Sequence, residues 1–209
     1  MALSPGLTGE ELAAVVDPLV IEDARASGVL VADGTRVRAA HPLLAAAASG
    51  RSRATERRAL HLALGAAVRD PVLRARHRAL AAAGADPGLA GEVAEAAGRA
   101  AARGAVADAA ELAGHALRLT PAGAVETDGR LLALARFLVD AGEQPRAAAL
   151  LTRRIGAMPP GPVRAAAHLV LGGARISWPR RSTWRRRSPT APPIRGCARR
   201  RWPGGRCCW

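Results

Sequence analysis

Residues 99–119, RAAARGAVADAAELAGHALRL, and residues 137–157, FLVDAGEQPRAAALLTRRIGA, share one pattern that decides the fold. In each stretch a helix-forming run stops at a glycine, Gly104 or Gly142, and a second run follows directly. The two glycines are 38 residues apart. A period of this length, with small residues where paired helices would touch, indicates an array of helical hairpins.

The rest of the segment 70–175 fits the same architecture. Asp70-Pro71 and Asp86-Pro87 each combine an N-cap residue with a proline at the first helical position, and each run ends near a glycine, Gly84 or Gly104. We therefore predict tetratricopeptide-like helical hairpins over residues 70–175. Only two units are recognisable, fewer than the three that such arrays usually need.

The N-terminal segment combines helical signals with a hairpin. Thr8 and Glu11 form a capping box, and Asp17-Pro18 predicts a second helix that runs to about Ser27-Gly28. The runs VLVA and RVRA flank Asp33-Gly34, a strong hairpin signal. Two sets of apolar residues have helical spacing and are expected to be buried: Leu12, Val15, Val16 and Leu19, and then Leu60, Leu64 and Val68. The order predicts a winged-helix-like domain over residues 1–69 and a mainly α fold.

Charge is distributed unevenly. The formal net charge is +14, but residues 175–209 contain 11 of the 31 basic residues and none of the 17 acidic ones. The remainder is nearly neutral, which is typical of an ordinary solvated surface. All 31 basic residues are arginine, so the lysine that a phosphate-binding loop requires is missing.

Known chemical motifs are missing as well. The sequence contains no Gly-x-Ser-x-Gly, no His-Glu-x-x-His and no convincing carboxylate pair. Cys197, Cys207 and Cys208 fit neither a disulfide framework nor a zinc module. We find neither a signal peptide nor a membrane span. We therefore expect a cytoplasmic protein without a catalytic site, a metal site or a cofactor of its own.

Three short motifs, HPLL at 41–44, ERRALH at 56–61 and DAAELAGHALRLTP at 108–121, occur in a familiar order. Over roughly residues 6–175 the chain resembles the middle of the actinobacterial LuxR-family regulators that contain an AAA/STAND-type ATPase. In that family a nucleotide-binding ATPase precedes a winged helix and a helical-repeat sensor, and a helix-turn-helix follows. The resemblance implies ATP or ADP as the ligand of the intact parent, an effector or protein partner for the repeats, and DNA for the helix-turn-helix.

The resemblance also singles out His41. In related STAND ATPases a winged-helix histidine contacts the bound ADP, and His41, which precedes Pro42, matches that position. An imidazole that donates a hydrogen bond to a phosphate is reasonable chemistry. The alternative is a histidine at the end of a strand that makes a local hydrogen bond. His61 and His115 are interpreted as helix-surface or interface residues, since no second ligand recurs at i+3 or i+4, and His77 and His168 have no acidic partner close in sequence.

Residues 176–209 differ from everything before them. The arginines, among them Arg185, Arg186, Arg187, Arg199, Arg200 and Arg201, alternate with Trp184 and Trp202. A disordered arm of this kind could neutralise phosphates and stack on bases. A shifted reading frame explains more, because it accounts for the arginines, the tryptophans, the cysteines and the missing acidic residues together. We therefore expect out-of-frame sequence here.

The preferred hypothesis is that the chain is a fragment of a LuxR-family ATPase-containing regulator. The fragment would keep the winged helix and part of the sensor, without a catalytic or DNA-reading module. One alternative is a stand-alone helical-repeat interaction module. The other is a small basic nucleic-acid-binding protein that acts through residues 176–209. None of the three hypotheses involves a membrane.

Overall fold

Helices dominate the computed structural model, which describes residues 7–176. Along the chain the elements are β1 (Leu7–Thr8), α1 (Gly9–Ala13), α2 (Pro18–Ala26), β2 (Leu30–Asp33), β3 (Arg36–Ala39), α3 (Pro42–Arg51), α4 (Ala54–Ala67), α5 (Pro71–Ala81), α6 (Pro87–Ala102), α7 (Val106–Leu119), α8 (Thr127–Asp140), α9 (Gln144–Arg154) and α10 (Pro162–Ile176), with a 3-10 turn at Ile155–Ala157. The prediction of a mainly α fold with one small antiparallel sheet is confirmed for these residues.

The sheet has the strand order β1-β3-β2, and both pairings are antiparallel. The predicted hairpin is present, but Asp33 lies in the strand opposite Arg36, and the loop consists of Gly34 and Thr35. Gly34 has a φ of +60°, as a two-residue turn with glycine in its first position requires. Strand β1 was not predicted, because two residues are too few to show a period.

The first two helices start where their caps predict. Thr8 and Glu11 form the reciprocal capping box, with N–O distances of 3.0 and 3.1 Å, and Asp17 accepts a hydrogen bond from the amide of Leu19 at 2.9 Å. The predicted continuous buried face is wrong, however, because α1 ends at Ala13 and α2 begins at Pro18, and Leu12, Val15 and Val16 are only half-buried. Leu19 is 73% exposed as a result.

The hydrophobic core lies in the helical array. Among the described residues, Leu64 is the first buried side chain along the chain, and Leu60, predicted to be buried in the same helix, is 43% exposed. The largest fully buried side chains are Val68, Val93, Leu112, Leu119, Leu138 and Leu151. No helix among residues 7–176 is long and apolar enough to cross a membrane.

The predicted 38-residue spacing has a structural basis. Helices α6 and α8 end in the same motif, in which Gly104 and Gly142 have φ values of +78° and +81°. In both, the glycine amide and the next amide bond back to the last turn, as in a Schellman motif. Buried positions also recur at this spacing: Val93 and Leu131, Ala96 and Leu134, Ala97 and Ala135, Ala100 and Leu138, Ala109 and Ala147, and Ala113 and Leu151.

Helix α5 ends differently from the prediction. It stops at Ala81, three residues before Gly84, and no left-handed glycine follows. Instead, Arg118 of α7 donates hydrogen bonds to the carbonyls of Ala79 and Ala82, at 2.6 and 3.4 Å. A side chain from a neighbouring helix therefore satisfies the carbonyls that a glycine motif satisfies in α6 and α8.

We predict that Gly104→Ala and Gly142→Ala each lower the free energy of unfolding by about 1 kcal/mol, because a Cβ strains the left-handed backbone. Urea denaturation measures this loss. Gly98→Ala is the matched control, since Gly98 lies inside α6 with open space around it, and this change should stabilise by up to about 1 kcal/mol. Equal effects at the three sites would contradict the prediction.

Candidate functional site

The most buried charge among the described residues is the guanidinium of Arg76, which α5 presents to α7. The side chain of Arg76 is only 7% exposed, so its charge requires close partners. Its Nε donates to Oε1 of Glu111 at 3.1 Å, its Nη2 contacts the second Glu111 oxygen, and its Nη1 lies 3.5 Å from Oδ1 of Asp108. The two carboxylates, one turn apart on α7, hold α5 against α7.

Glu111 also approaches His115, with 3.7 Å between Oε1 and Nε2. The nearby imidazole of His115 and the charge of Arg76 keep the pKa of Glu111 below its ordinary value, although burial opposes this. The carboxylate is therefore ionised over the physiological range, which stabilises the contact with Arg76. The four residues, Arg76, Asp108, Glu111 and His115, are called the Arg76 cluster below.

A cavity of about 230 Å³ adjoins the Arg76 cluster. Asp70 lies in its wall, accepts hydrogen bonds from the amides of Val72 and Leu73, and pairs with Arg103 at 3.2 Å. Burial alone would raise the pKa of Asp70, but these hydrogen bonds and Arg103 lower it below its ordinary value. The lining joins the sheet to the helical array: Arg36, Asp70, Val72, Leu73, Arg76, Arg103, Ala105, Asp108 and Leu112.

On another face, a groove of about 430 Å³ runs between α7 and the start of α9. Ala107, Ala110 and Gly114 line it, and a Cβ built on Gly114 would meet no atom within 4 Å. The pair Glu143 and Arg146, 3.1 Å apart, lies on the α9 side, and Glu111 and His115 lie on the α7 side. Small residues between charges of both signs suit a short helix or peptide with polar side chains.

Comparison with known proteins gives no identification. The chain matches no protein family, no curated protein and no solved structure.

His41 is the N-cap of α3, and its Nδ1 accepts a hydrogen bond from the amide of Leu43 at 3.1 Å. This local contact is the alternative that the sequence left open for this residue. The contact uses one ring nitrogen and leaves Nε2 as the nitrogen that could face a ligand. A role for His41 in nucleotide binding stays a prediction.

The arginines and tryptophans proposed for nucleic-acid binding, from Trp184 to Trp202, lie outside the described residues. The predictions that residues 176–209 are disordered or out of frame also fall outside them, apart from Ile176. Within residues 7–176 no group of three or more histidine, cysteine, aspartate or glutamate side chains could hold a metal ion.

One arrangement that sequence reasoning missed is a pair of histidines. Nδ1 of His61 on α4 lies 3.0 Å from Nδ1 of His77 on α5, and the ring centroids are 5.2 Å apart. Burial lowers the pKa of His77 to about 4, the charges of His61 and Arg76 add to this effect, and Glu11 opposes it. Burial and the charge of Arg57 also lower the pKa of His61. The residues are 16 positions apart, so a search for ligands at i+3 or i+4 could not find them.

The histidine pair predicts a pH dependence of stability. Because the pKa of His77 is about 4 in the folded chain and near 6.5 when unfolded, the unfolded chain binds more protons between these values. Stability is therefore fully present above pH 6.5 and falls as the pH drops towards 4. We expect a loss of about 1–2 kcal/mol over this window, discounted because the ring is half-exposed.

Urea midpoints between pH 7.5 and pH 4 measure this loss. His77→Gln should flatten the curve between pH 6.5 and 4, whereas His168→Gln, an exposed histidine on α10, should leave it unchanged. A profile that is the same in His77→Gln and in the parent would contradict the assignment.

Proposed function

We propose that the chain corresponds to the winged-helix and helical-repeat part of an ATP-dependent LuxR-type transcriptional regulator, in which the repeats receive an effector or a protein partner. The observation that carries this proposal is the order of elements. The order β1-α1-α2-β2-β3, with the sheet order β1-β3-β2, supports the winged-helix interpretation, and it leads through α3 and α4 into hairpins with a 38-residue spacing.

The charges of α2 favour a role for the winged-helix-like part that does not involve DNA. In a winged helix, the helix before the hairpin is the one that enters the major groove. Here that helix carries Glu22 and Asp23 against a single arginine, Arg25. Phosphate contacts dominate DNA affinity and require an excess of positive charge. DNA recognition would therefore belong to another part of the regulator. The winged-helix-like part would instead transmit the conformational state of the repeats.

The groove between α7 and α9 supports a receiving role for the repeats. It joins two successive repeats, so a molecule bound there would contact the side chains of both. Glu111 belongs both to this groove and to the Arg76 cluster. Binding in the groove could thus alter the contacts of α5 and of the cavity beside β3, because the carboxylate of Glu111 both lines the groove and contacts Arg76.

Sequencing of the genomic DNA through the codons for residues 165–209 and both flanking regions tests the proposal. We expect a one-base correction near codon 175 that continues the repeats into a helix-turn-helix, and an ATPase with a Walker lysine encoded upstream. Confirmation of the reading frame as given, next to unrelated coding sequence, would contradict the proposal.

The arginines of residues 175–209 favour a second candidate, nonspecific binding to nucleic acid. Anisotropy of labelled duplex DNA across a salt series tests it. The logarithm of the affinity should fall with the logarithm of the salt concentration, with a slope of about −0.9 per phosphate engaged. Replacing Arg185, Arg186 and Arg187 by glutamine should reduce the slope. A flat salt dependence in the parent chain would rule this candidate out.

A further inference from the structure

We propose that His61 and His77 chelate a divalent transition-metal ion of the Cu²⁺, Ni²⁺ or Zn²⁺ class and thereby join α4 to α5. This site goes beyond the proposed function, because it involves neither the groove nor nucleotide. It is a two-residue site with water in the remaining coordination positions.

The distance between the two rings suits a shared ion. Imidazole nitrogens lie about 2.0–2.1 Å from zinc, so two of them at a right angle around one ion are about 2.9 Å apart. The two Nδ1 atoms are 3.0 Å apart, and the ring planes differ by 30°. An ion beside the line that joins them lies about 45° off the direction of the N–H···N hydrogen bond at each nitrogen, so each ring would turn by about this angle to aim its lone pair at the ion. Right-angle geometry favours square-planar or octahedral ions such as Cu²⁺ and Ni²⁺. Tetrahedral Zn²⁺ would hold the two nitrogens about 3.3 Å apart, so it requires only a slightly larger separation.

Binding of the ion moves one proton but neither adds nor removes any, so no additional acid or base is required. In the metal-free pair one ring carries a proton on Nδ1 and donates it to the lone pair of the other. When the ion binds, both Nδ1 atoms need free lone pairs, so that proton moves through solvent to Nε2 of the same ring. Both imidazoles stay neutral, and the metal takes the place of one N–H···N hydrogen bond.

The helices hold the pair in place. Gly65, one turn after His61 on α4, lies against α5, where a Cβ would come within 3.1 Å of Cγ of Arg78 and 3.8 Å of Cβ of His77. This close approach fixes the separation of the two helices next to the histidines. With the helix separation fixed, an ion has only the side-chain torsions of the two histidines to order.

The position of the site has a structural consequence. Helix α4 follows the sheet and α3, and α5 is the first helix of the array. The buried position that recurs every 38 residues, at 75, 113 and 151, first occurs in α5. An ion held by both helices would add a cross-link at the junction between the N-terminal region and the repeats. Local opening at this junction would then require loss of the metal.

Thermal denaturation of the full chain with NiCl₂, compared with the chain in EDTA, tests the proposal. We expect about 1 mM Ni²⁺ to raise the Tm by about 3–6 °C. His61→Gln and His77→Gln should each lose most of this rise. His168→Gln is the matched control and should keep it, since His168 is exposed on α10. A rise that persists in both His61→Gln and His77→Gln would assign the ion to other ligands, such as Cys207 and Cys208, and overturn the proposal.

A second measurement does not depend on how the variants fold. In the parent chain labelled with ¹⁵N, Zn²⁺ should shift the Nδ1 resonances of two of the five histidines and place the proton of both rings on Nε2. Absence of any Nδ1 shift at millimolar Zn²⁺ would overturn the proposal. Shifts confined to Nε2 atoms would do the same, because the exposed edge of a ring would then be the ligand.

Discussion

Leu138→Ala is expected to lower the free energy of unfolding by about 3 kcal/mol, within the range of 2–5 kcal/mol seen for buried leucines. Leu138 is completely buried in α8. Many of the buried residues around it are alanines, whose short side chains cannot move in to fill a cavity. The change therefore removes apolar burial and leaves an empty space. Urea denaturation monitored by circular dichroism measures the loss.

The repeat makes this substitution more informative than an ordinary truncation. Ala100 occupies the equivalent position in α6 and is also fully buried, so Leu138→Ala makes the two repeats identical there. A loss near 3 kcal/mol would show that the second repeat is packed around the larger leucine side chain and the first around the smaller alanine. Leu169→Ala on α10 is the control, because Leu169 is 78% exposed and should contribute no more than about 0.5 kcal/mol. Equal losses at the two sites would contradict the placement of the core.

Arg76→Met is expected to cost about 3 kcal/mol, because it leaves the carboxylates of Asp108 and Glu111 beside each other without their cation. Methionine approximates the length of the arginine side chain, so the loss measures charge more than packing. The effect should shrink as the pH falls below about 4.5, the ordinary pKa of Glu111, because the contact with Arg76 stabilises the folded parent chain only while Glu111 is ionised. Urea midpoints at pH 7 and pH 4 measure both results.

Two further variants separate the causes of this loss. Arg99→Met removes an exposed arginine that lies 3.5 Å from Glu95 in the same helix, and it should cost no more than about 0.5 kcal/mol. Adding Asp108→Asn and Glu111→Gln to Arg76→Met should restore part of the stability, because the orphaned charges are removed. If Arg76→Met is as stable as the parent chain at pH 7, the Arg76 cluster does not hold α5 against α7.

Both predictions concern the helical array, and the burial pattern explains why. Among the described residues before Leu64 none is buried, and Leu19, Leu43 and Leu62 are each at least 66% exposed. Apolar burial supplies most of the free energy of folding. The N-terminal region therefore depends on its contacts with the array, and changes in the array should propagate into it.

The sequence by itself determined the local features. Caps at Asp17, Asp70 and Asp86 place helix starts, because each carboxylate bonds to an amide two or three residues away. Gly104 and Gly142 mark helix ends for the same local reason, since only the glycine's own backbone conformation matters. The spacing between them predicted the repeat, because successive hairpins bury equivalent positions.

Only the tertiary structure decided which side chains meet. Arg76 pairs with Glu111 across 35 residues, and His61 meets His77 across 16. Each contact depends on the rotation and register of one helix against another, which no pattern within a single helix encodes. Leu19 is exposed despite its helical spacing with Leu12 for a different reason, because the two residues lie in separate helices, α1 and α2. Backbone hydrogen bonds are satisfied within a few residues, whereas long-range contacts are settled by the packing of the whole array.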